Sequence, residues 1–340
     1  MPTLLPIQHD FSLRALNTFG IEARALAYLY VTDALQLEQV RRDPALARLP
    51  RLVLGGGSNL LLVHDFAGLV LHVGLEGIAL ESCTADAVVV RAAAGESWQA
   101  LVDWTLAHGF GGLENLNLIP GSVGASAIQN IGAYGAEAAQ CITSLRYFDL
   151  VSGDIVTLDR PACAFGYRDS IFKHALADRA LILDIDFALP LPWKANLHYA
   201  DLAAAFAGNR APNALAIAAA VASIRRRKLP DPAVIGNAGS FFKNPVVSAA
   251  RRDALHAAWP DLVSHTQADG SAKLAAGWMI EQCGWKGRTF GAAGVHDRQA
   301  LVLVNQGGAT GADVHRLALA IQADVQARFG VLLEPEPIIV

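Results

Sequence analysis

From Ala92 to Leu145 the chain carries no lysine or arginine, yet the middle of that stretch is dominated by glycine and other small residues. Two runs stand out, Ile119-Pro120-Gly121-Ser122-Val123-Gly124-Ala125-Ser126 and Asn130-Ile131-Gly132-Ala133-Tyr134-Gly135. Long irregular segments inside globular domains are uncommon unless they are functional. With no cation at hand, a diphosphate held here must be met by backbone N–H groups, hydroxyls or a helix N-terminus. A bound dinucleotide fits that description, and tight packing of loops against strands is the competing reading. Gly55-Gly56-Gly57-Ser58-Asn59 follows an apolar strand and has the same character. It is not a Rossmann fingerprint, because Leu60 stands where the third glycine belongs and Leu60-Leu61-Leu62-Val63 continues as strand. No Walker-type Gly-Lys-Ser/Thr occurs. Alone, this segment reads as a hairpin loop needing positive φ.

These loops sit in a chain of 340 residues with 53% hydrophobic and 17% charged residues, which predicts a globular protein of about two to three domains. A net charge of −4 and the scarcity of basic clusters argue against a nucleic-acid surface. Pro6, His9, Asp10 and Arg14 break up the N-terminal region, so no signal peptide is expected. The stretch Ala214–Ile224 is too short for a bilayer and runs into Arg225, so no membrane insertion is expected and the chain reads as cytoplasmic. Cys83, Cys141, Cys163 and Cys283 have neither paired nor zinc-ligand spacing and read as reduced core thiols, with no metal site.

Short apolar runs at Arg51–Leu54, Leu69–Val73, Val88–Ala92, Ser144–Leu150 and Asp154–Leu158 predict strands, the last two flanking a turn at Ser152-Gly153. Three-and-four spacing predicts helices over Ala34–Arg42 and Trp98–His108. The first region is therefore α+β rather than a regular βαβ alternation. Composition changes near 228, where Arg225-Arg226-Arg227-Lys228 runs into Leu229-Pro230-Asp231-Pro232, and a domain boundary is expected there. Beyond it come helices over Ser248–Ala258 and Ala272–Cys283, a strand at Ala300–Val304 and an amphipathic helix over Ala312–Phe329 stopped by Gly330. Val331–Val340 reads as an edge strand that Pro335 and Pro337 interrupt.

Polar groups with chemical potential are few. Arg168, in Gly166-Tyr167-Arg168-Asp169-Ser170, has the rigid fork of donors that clamps a carboxylate, although a local pair with Asp169 is the commoner arrangement. Ser240 stands between Gly239 and Phe241-Phe242, where a hydroxyl in a dry cleft could donate a proton; a turn is the simpler account. It is no nucleophile elbow, since Gly-x-Ser-x-Gly is missing. Glu334 and Glu336, two apart on a strand, share a face. Arg225 to Lys228 complement a helix C-terminus, and the same cations could receive a diphosphate. His296 and Asp297 read as structural.

In order, these segments resemble the UDP-N-acetylenolpyruvoylglucosamine reductase (MurB) family. The words that carry the resemblance are Asn17-Thr18-Phe19-Gly20, the 55–59 loop, Gly112-Leu113-Glu114-Asn115, the 119–124 and 129–135 runs, Phe165–Ser170, Lys228–Pro232, Gly236–Pro245 and Gln267–Gly277. The resemblance implies a two-subdomain FAD-binding fold of the vanillyl-alcohol-oxidase type in 1–228, divided near residue 70, and an α+β substrate domain in 229–330. The terminal strand 331–340 would rejoin the first subdomain. It implies noncovalent FAD on Gly55, Gly56, Gly57, Ser58, Asn59, Ile119, Gly121, Ser122, Gly124, Ala125, Gly132 and Tyr134, with NADPH as electron donor and a nucleotide-sugar substrate. Arg168, Ser240 and Glu336 are the implied catalytic residues, and Lys228 and Asn244 substrate contacts. Tyr199 matches the substrate-covering tyrosine of the longer type. Glu334 is the alternative to Glu336, because Pro337-Ile338-Ile339-Val340 departs from the family's valine-rich, glycine-terminated ending. A monomer is expected. The rivals are an FAD oxidase, for which no flavin-linking His or Cys stands out, and a noncatalytic flavin- or nucleotide-binding module.

Overall fold

The computed structural model describes residues 5–208 and 211–340. The chain forms two compact units: Met1–Phe11, Ala25–Gly57 and Phe66–Arg225 make the first, and Ser12–Arg24, Ser58–Asp65 and Arg226–Val340 the second.

The first unit is built on two larger sheets, beside the short hairpin Gly132–Ala133/Ala136–Glu137. In one, Arg24–Val31, Phe66–Val73 and Arg51–Leu54 run parallel in that spatial order, with Gln8–Ser12 beside the first. Arg24–Val31 alternates strictly only at its ends, where Leu26 and Tyr30 are exposed while Ala25, Ala27, Leu29 and Val31 are buried. Helix Ala34–Arg42, as expected from its spacing, starts at a capping box between Asp33 and Gln36 and buries Leu37 and Val40. This strand–helix–strand crossover is a parallel unit that the sequence pattern did not reveal. The other sheet is antiparallel, in the order Ile155–Asp159, Ile142–Asp149, Ala180–Pro190, Ala87–Ala93, Ile78–Cys83. Helices Trp98–Ala107 and Val123–Gln129 bury Trp98, Leu101, Val102, Val123 and Ala127 in the same core as Leu29, Leu71, Ile185 and Phe187.

In the second unit, Gly236–Ser240, Val302–Asn305, Ala293–Val295 and Thr289–Phe290 form an antiparallel sheet. Helix Gly311–Phe329 buries Val314, Leu317, Ala318, Ile321, Val325 and Phe329, the face read from sequence, and Gly330 closes it at φ 63°. The expected helix over Ala272–Cys283 is corrected: Ala272–Leu274 is a strand between Val246–Val247 and Ser264–Thr266, and the helix covers only Ala276–Gln282. Pairing on both edges outweighed a spacing that suits either element. Of the expected terminal strand only Ile338–Ile339 forms a ladder, parallel to Leu60–Leu61, with an isolated bridge from Pro335 to Phe242. Cys83 is exposed rather than a core thiol, and all four cysteines are free. Among the described residues no helix is long and apolar enough to cross a membrane, and no cluster suited to a metal ion occurs.

Candidate functional site

In the first unit the two glycine-rich loops lie against each other. A Cβ on Gly55 would stand 2.4 Å from Ser122 Oγ, and one on Gly56 would stand 2.9 Å from Gly121 Cα. Only glycine lets these backbones approach so closely. The loops are thus packed tightly together, and the contact makes one surface of backbone and hydroxyl groups. Gly124 is equally confined, 2.8 Å from Ala94 Cβ for an added Cβ. Helix Val123–Gln129 opens at Ser122, whose Oγ accepts from Ala125 N–H at 3.4 Å. Its first N–H groups are taken, Val123 by Glu96 O and Gly124 by Ala94 O, at 2.8 and 2.9 Å. A diphosphate on this surface would therefore fall to the loop backbone rather than to those two amides. Ile119 is half-buried beside it. Ser58 and Asn59 belong to the second unit, where Asn59 Nδ2 donates to Glu336 O at 3.1 Å.

The turn bearing Arg168 is tied to the same loop. Ser170 Oγ donates to Ile128 O and Asn130 Nδ2 to Gly166 O, each at 2.8 Å. Arg168 is held at φ 56°, and its Nη2 donates to Gly132 O at 2.6 Å. A Cβ on Gly132 would come within 2.9 Å of Arg168 Nη1, so this glycine leaves room for the guanidinium. Asp169 is engaged at both oxygens by His174 Nε2, at 2.9 Å. Tyr134, at φ 49° and buried, meets the ring of Tyr199 edge-on, with centroids 5.0 Å apart. Arg225 lies near Tyr134, and burial pushes its guanidinium below its ordinary pKa.

In the second unit, Ser240 ends the strand Gly236–Ser240 immediately after Gly239, whose φ of 69° favours glycine. Phe241 N–H donates to Leu301 O at 2.7 Å, while Phe241 O accepts from Glu336 N–H at 2.8 Å. Lys243 N–H donates to Glu334 O at 2.9 Å, so 334–336 runs antiparallel to 241–243. This pairing brings Glu336 to the residue after Ser240. The two glutamates differ sharply: Glu334 is paired with Lys243 at 3.0 Å with its side chain 69% exposed, whereas Glu336 is half-buried. Asn244 Oδ1 accepts from Ala276 N–H at 3.0 Å and so starts the helix Ala276–Gln282. Lys228 is exposed at the end of helix Ala214–Lys228. His296 is buried, with its pKa lowered by that burial, and its Nδ1 accepts from Arg298 N–H, consistent with a structural role.

Three buried polar residues were given no role from the sequence: Asn115 and Asn130, which hydrogen-bond at the 130–139 loop, and Glu114, which accepts from Gly112 and Trp193. The signal was a carboxylate and two amides inside an apolar, cation-free stretch, where polar groups persist only if they are hydrogen-bonded.

Comparison with known proteins gives the context for this geometry. Residues 25–159 match the family described as "FAD binding domain", and residues 231–340 that described as "UDP-N-acetylenolpyruvoylglucosamine reductase, C-terminal domain". A protein of Paraburkholderia xenovorans named UDP-N-acetylenolpyruvoylglucosamine reductase is 55% identical over 96% of each chain. Its counterpart from Paraburkholderia phymatum is 56% identical over 99% of each. The crystal structure of the Thermus caldophilus enzyme of that name superposes with a TM-score of 0.69 over 99% of both chains at 22% identity, a likeness of fold. With more than half of all positions identical to such relatives from end to end, the chain belongs to the UDP-N-acetylenolpyruvoylglucosamine reductase family.

Proposed function

We propose that this chain is the FAD-dependent, NADPH-using reductase that converts the enolpyruvyl ether of UDP-N-acetylglucosamine to UDP-N-acetylmuramate in peptidoglycan synthesis. The observation that carries the reading is the pairing, in one chain, of a matched FAD-binding region with a matched C-terminal domain of this reductase family. The residues of the glycine loops fit a flavin dinucleotide: two backbones in glycine-only contact, hydroxyls at Ser122, and no cation from Ala92 to Leu145 to compete with backbone recognition. Bound FAD supplies the hydride that adds to the enolpyruvyl methylene.

The protein's own groups handle the charge and the proton. Addition of hydride at the methylene leaves negative charge on the neighbouring carbon and its carboxylate. Arg168, braced on Gly132 O, holds that carboxylate with two parallel N–H donors as charge develops. The Ser240 hydroxyl gives its proton to the carbon, forming the lactyl C–H bond, and Glu336 orients the groups around that transfer. Tyr199 covers the substrate, Lys228 and Asn244 contact it, and 229–330 forms the substrate domain. The reductase works in the cytoplasm as a monomer.

Anaerobic mixing tests the reading. Flavin absorbance is expected to bleach on addition of NADPH and to return rapidly when the enolpyruvyl nucleotide sugar is added. Ser240→Ala should leave the bleaching intact and slow the return by about 10²- to 10⁴-fold. A flavin that recovers only when oxygen enters would instead mark an oxidase.

A further inference from the structure

We propose that Glu114 and Asn115 are positioning residues that fix the 193–199 segment, and with it Tyr199, over the Gly132–Gly135 loop. The inference rests on the reading that Tyr199 covers the substrate. Both residues are only 2% exposed. A carboxylate and an amide at that depth are costly unless hydrogen-bonded, so their partners report what they hold in place.

Glu114 accepts from Gly112 N–H at one oxygen and from Trp193 Nε1–H at the other, the latter at 2.9 Å. Only a carboxylate accepts at both oxygens; a glutamine would turn an N–H group toward one of these donors. Trp193 is further seated by Gly111, where a Cβ would stand 2.3 Å from the indole nitrogen. Asn115 Nδ2 donates to Tyr134 O at 2.8 Å and to Asn196 O at 3.0 Å, joining the glycine loop directly to the segment. Asn196 Nδ2 returns a bond to Gly135 O at 2.9 Å. The segment is thus pinned at Trp193 and Asn196, three residues before Tyr199, whose ring reaches Tyr134 across 5.0 Å. Beside it, a cavity of about 410 Å³ lined by Glu114, Asn115, Cys141, Trp193, Lys194 and Asn196 leaves the segment room to shift once a bond is lost. These contacts give a role to the Gly112-Leu113-Glu114-Asn115 word, which the chemistry itself does not use.

The test uses FAD-loaded enzyme and resolves the two half-reactions. Asn115→Asp places carboxylate oxygens against two carbonyls; it is expected to raise the KM for the enolpyruvyl nucleotide sugar about 10-fold while flavin reduction by NADPH stays within about 2-fold. Trp193→Phe, which keeps an aromatic ring but removes one donor, should move KM the same way by about 3-fold, and it serves if Asn115→Asp fails to fold. Each of these variants combined with Tyr199→Ala should show no additional loss beyond Tyr199→Ala alone, because both act through the same ring. Losses that multiply in the double variants would overturn the inference, as would equal slowing of both half-reactions or release of FAD. If Tyr199→Ala leaves KM unchanged, the reading of Tyr199 itself fails and the inference falls with it, a result distinguishable from multiplicative losses.

Discussion

At the scale of single residues, Glu334 and Glu336 show how side chains of one type acquire different surroundings. Both are carried by a segment whose backbone pairs with 241–243. Glu334 spends its charge on Lys243 in solvent, where such a pair contributes little. Glu336 is less exposed, next to the Ser240 strand end, with its backbone carbonyl held by Asn59. Glu336→Gln should therefore lower kcat by about 10²-fold or more with FAD retained, whereas Glu334→Gln should leave it within about 2-fold. Steady-state kinetics of the two variants check this, and reversed effects would reassign the role to Glu334. The residue types of this region were legible beforehand; the difference in burial was not, because it depends on what a distant segment covers.

Among the elements, periodicity placed most of the longer helices and Gly330 was read as a stop, whereas the caps at Asp33 and Thr310 emerge only from the structure. Asp33 and Thr310 start their helices with reciprocal side-chain bonds, and Gly330 stops one in the left-handed conformation. The glycine loops were recognisable as loops, but their contact with each other joins residues more than sixty positions apart in sequence and could not be seen locally. That contact makes a sharp prediction. At Gly56 an added methyl would lie 2.9 Å from backbone Gly121 Cα, with no flexible side chain to yield, so the loops must part. Gly56→Ala is expected to lower FAD occupancy of the purified protein several-fold, read as the ratio of flavin to protein absorbance. The same substitution at Gly20, where φ is 65° but no atom lies within 4 Å, should cost only backbone strain and spare the flavin.

For the molecule as a whole, stability should depend on pH through Asp149, which is 2% exposed and lies at the turn of the antiparallel sheet. Its carboxylate accepts from Arg179 Nε at 2.8 Å and from Val151 and Ser152 N–H. The Arg179 hydrogen bond, first, and the backbone bonds hold its pKa down at about 2, against 3.8 for the free side chain. Because the folded value is the lower one, the contribution is complete above about pH 4 and is lost as pH falls toward 2. With Arg179 half exposed, it amounts to about 1–2 kcal/mol. Urea unfolding should show a smaller difference between about pH 5 and pH 3 in Asp149→Asn than in the parent; an unchanged difference would remove this group from the account.

Local pattern was enough for most of the longer helices, for strands such as Arg51–Leu54 and Ile142–Asp149 though not for Arg24–Val31 or Ala180–Pro190, for the glycine character of the loops and, through ordered words spread along the chain, for the family. Those features depend on neighbours within a few residues, where side-chain period and backbone freedom act directly. Tertiary structure decided the rest: the pairing that turned Ala272–Leu274 into strand, the parallel ladder between Leu60–Leu61 and Ile338–Ile339, the seating of Arg168 on Gly132 O and the burial of Glu114 and Asn115 beneath the Tyr199 segment. Each is a contact between segments remote in sequence, and a residue's own run does not say which distant backbone will meet its hydrogen-bonding groups.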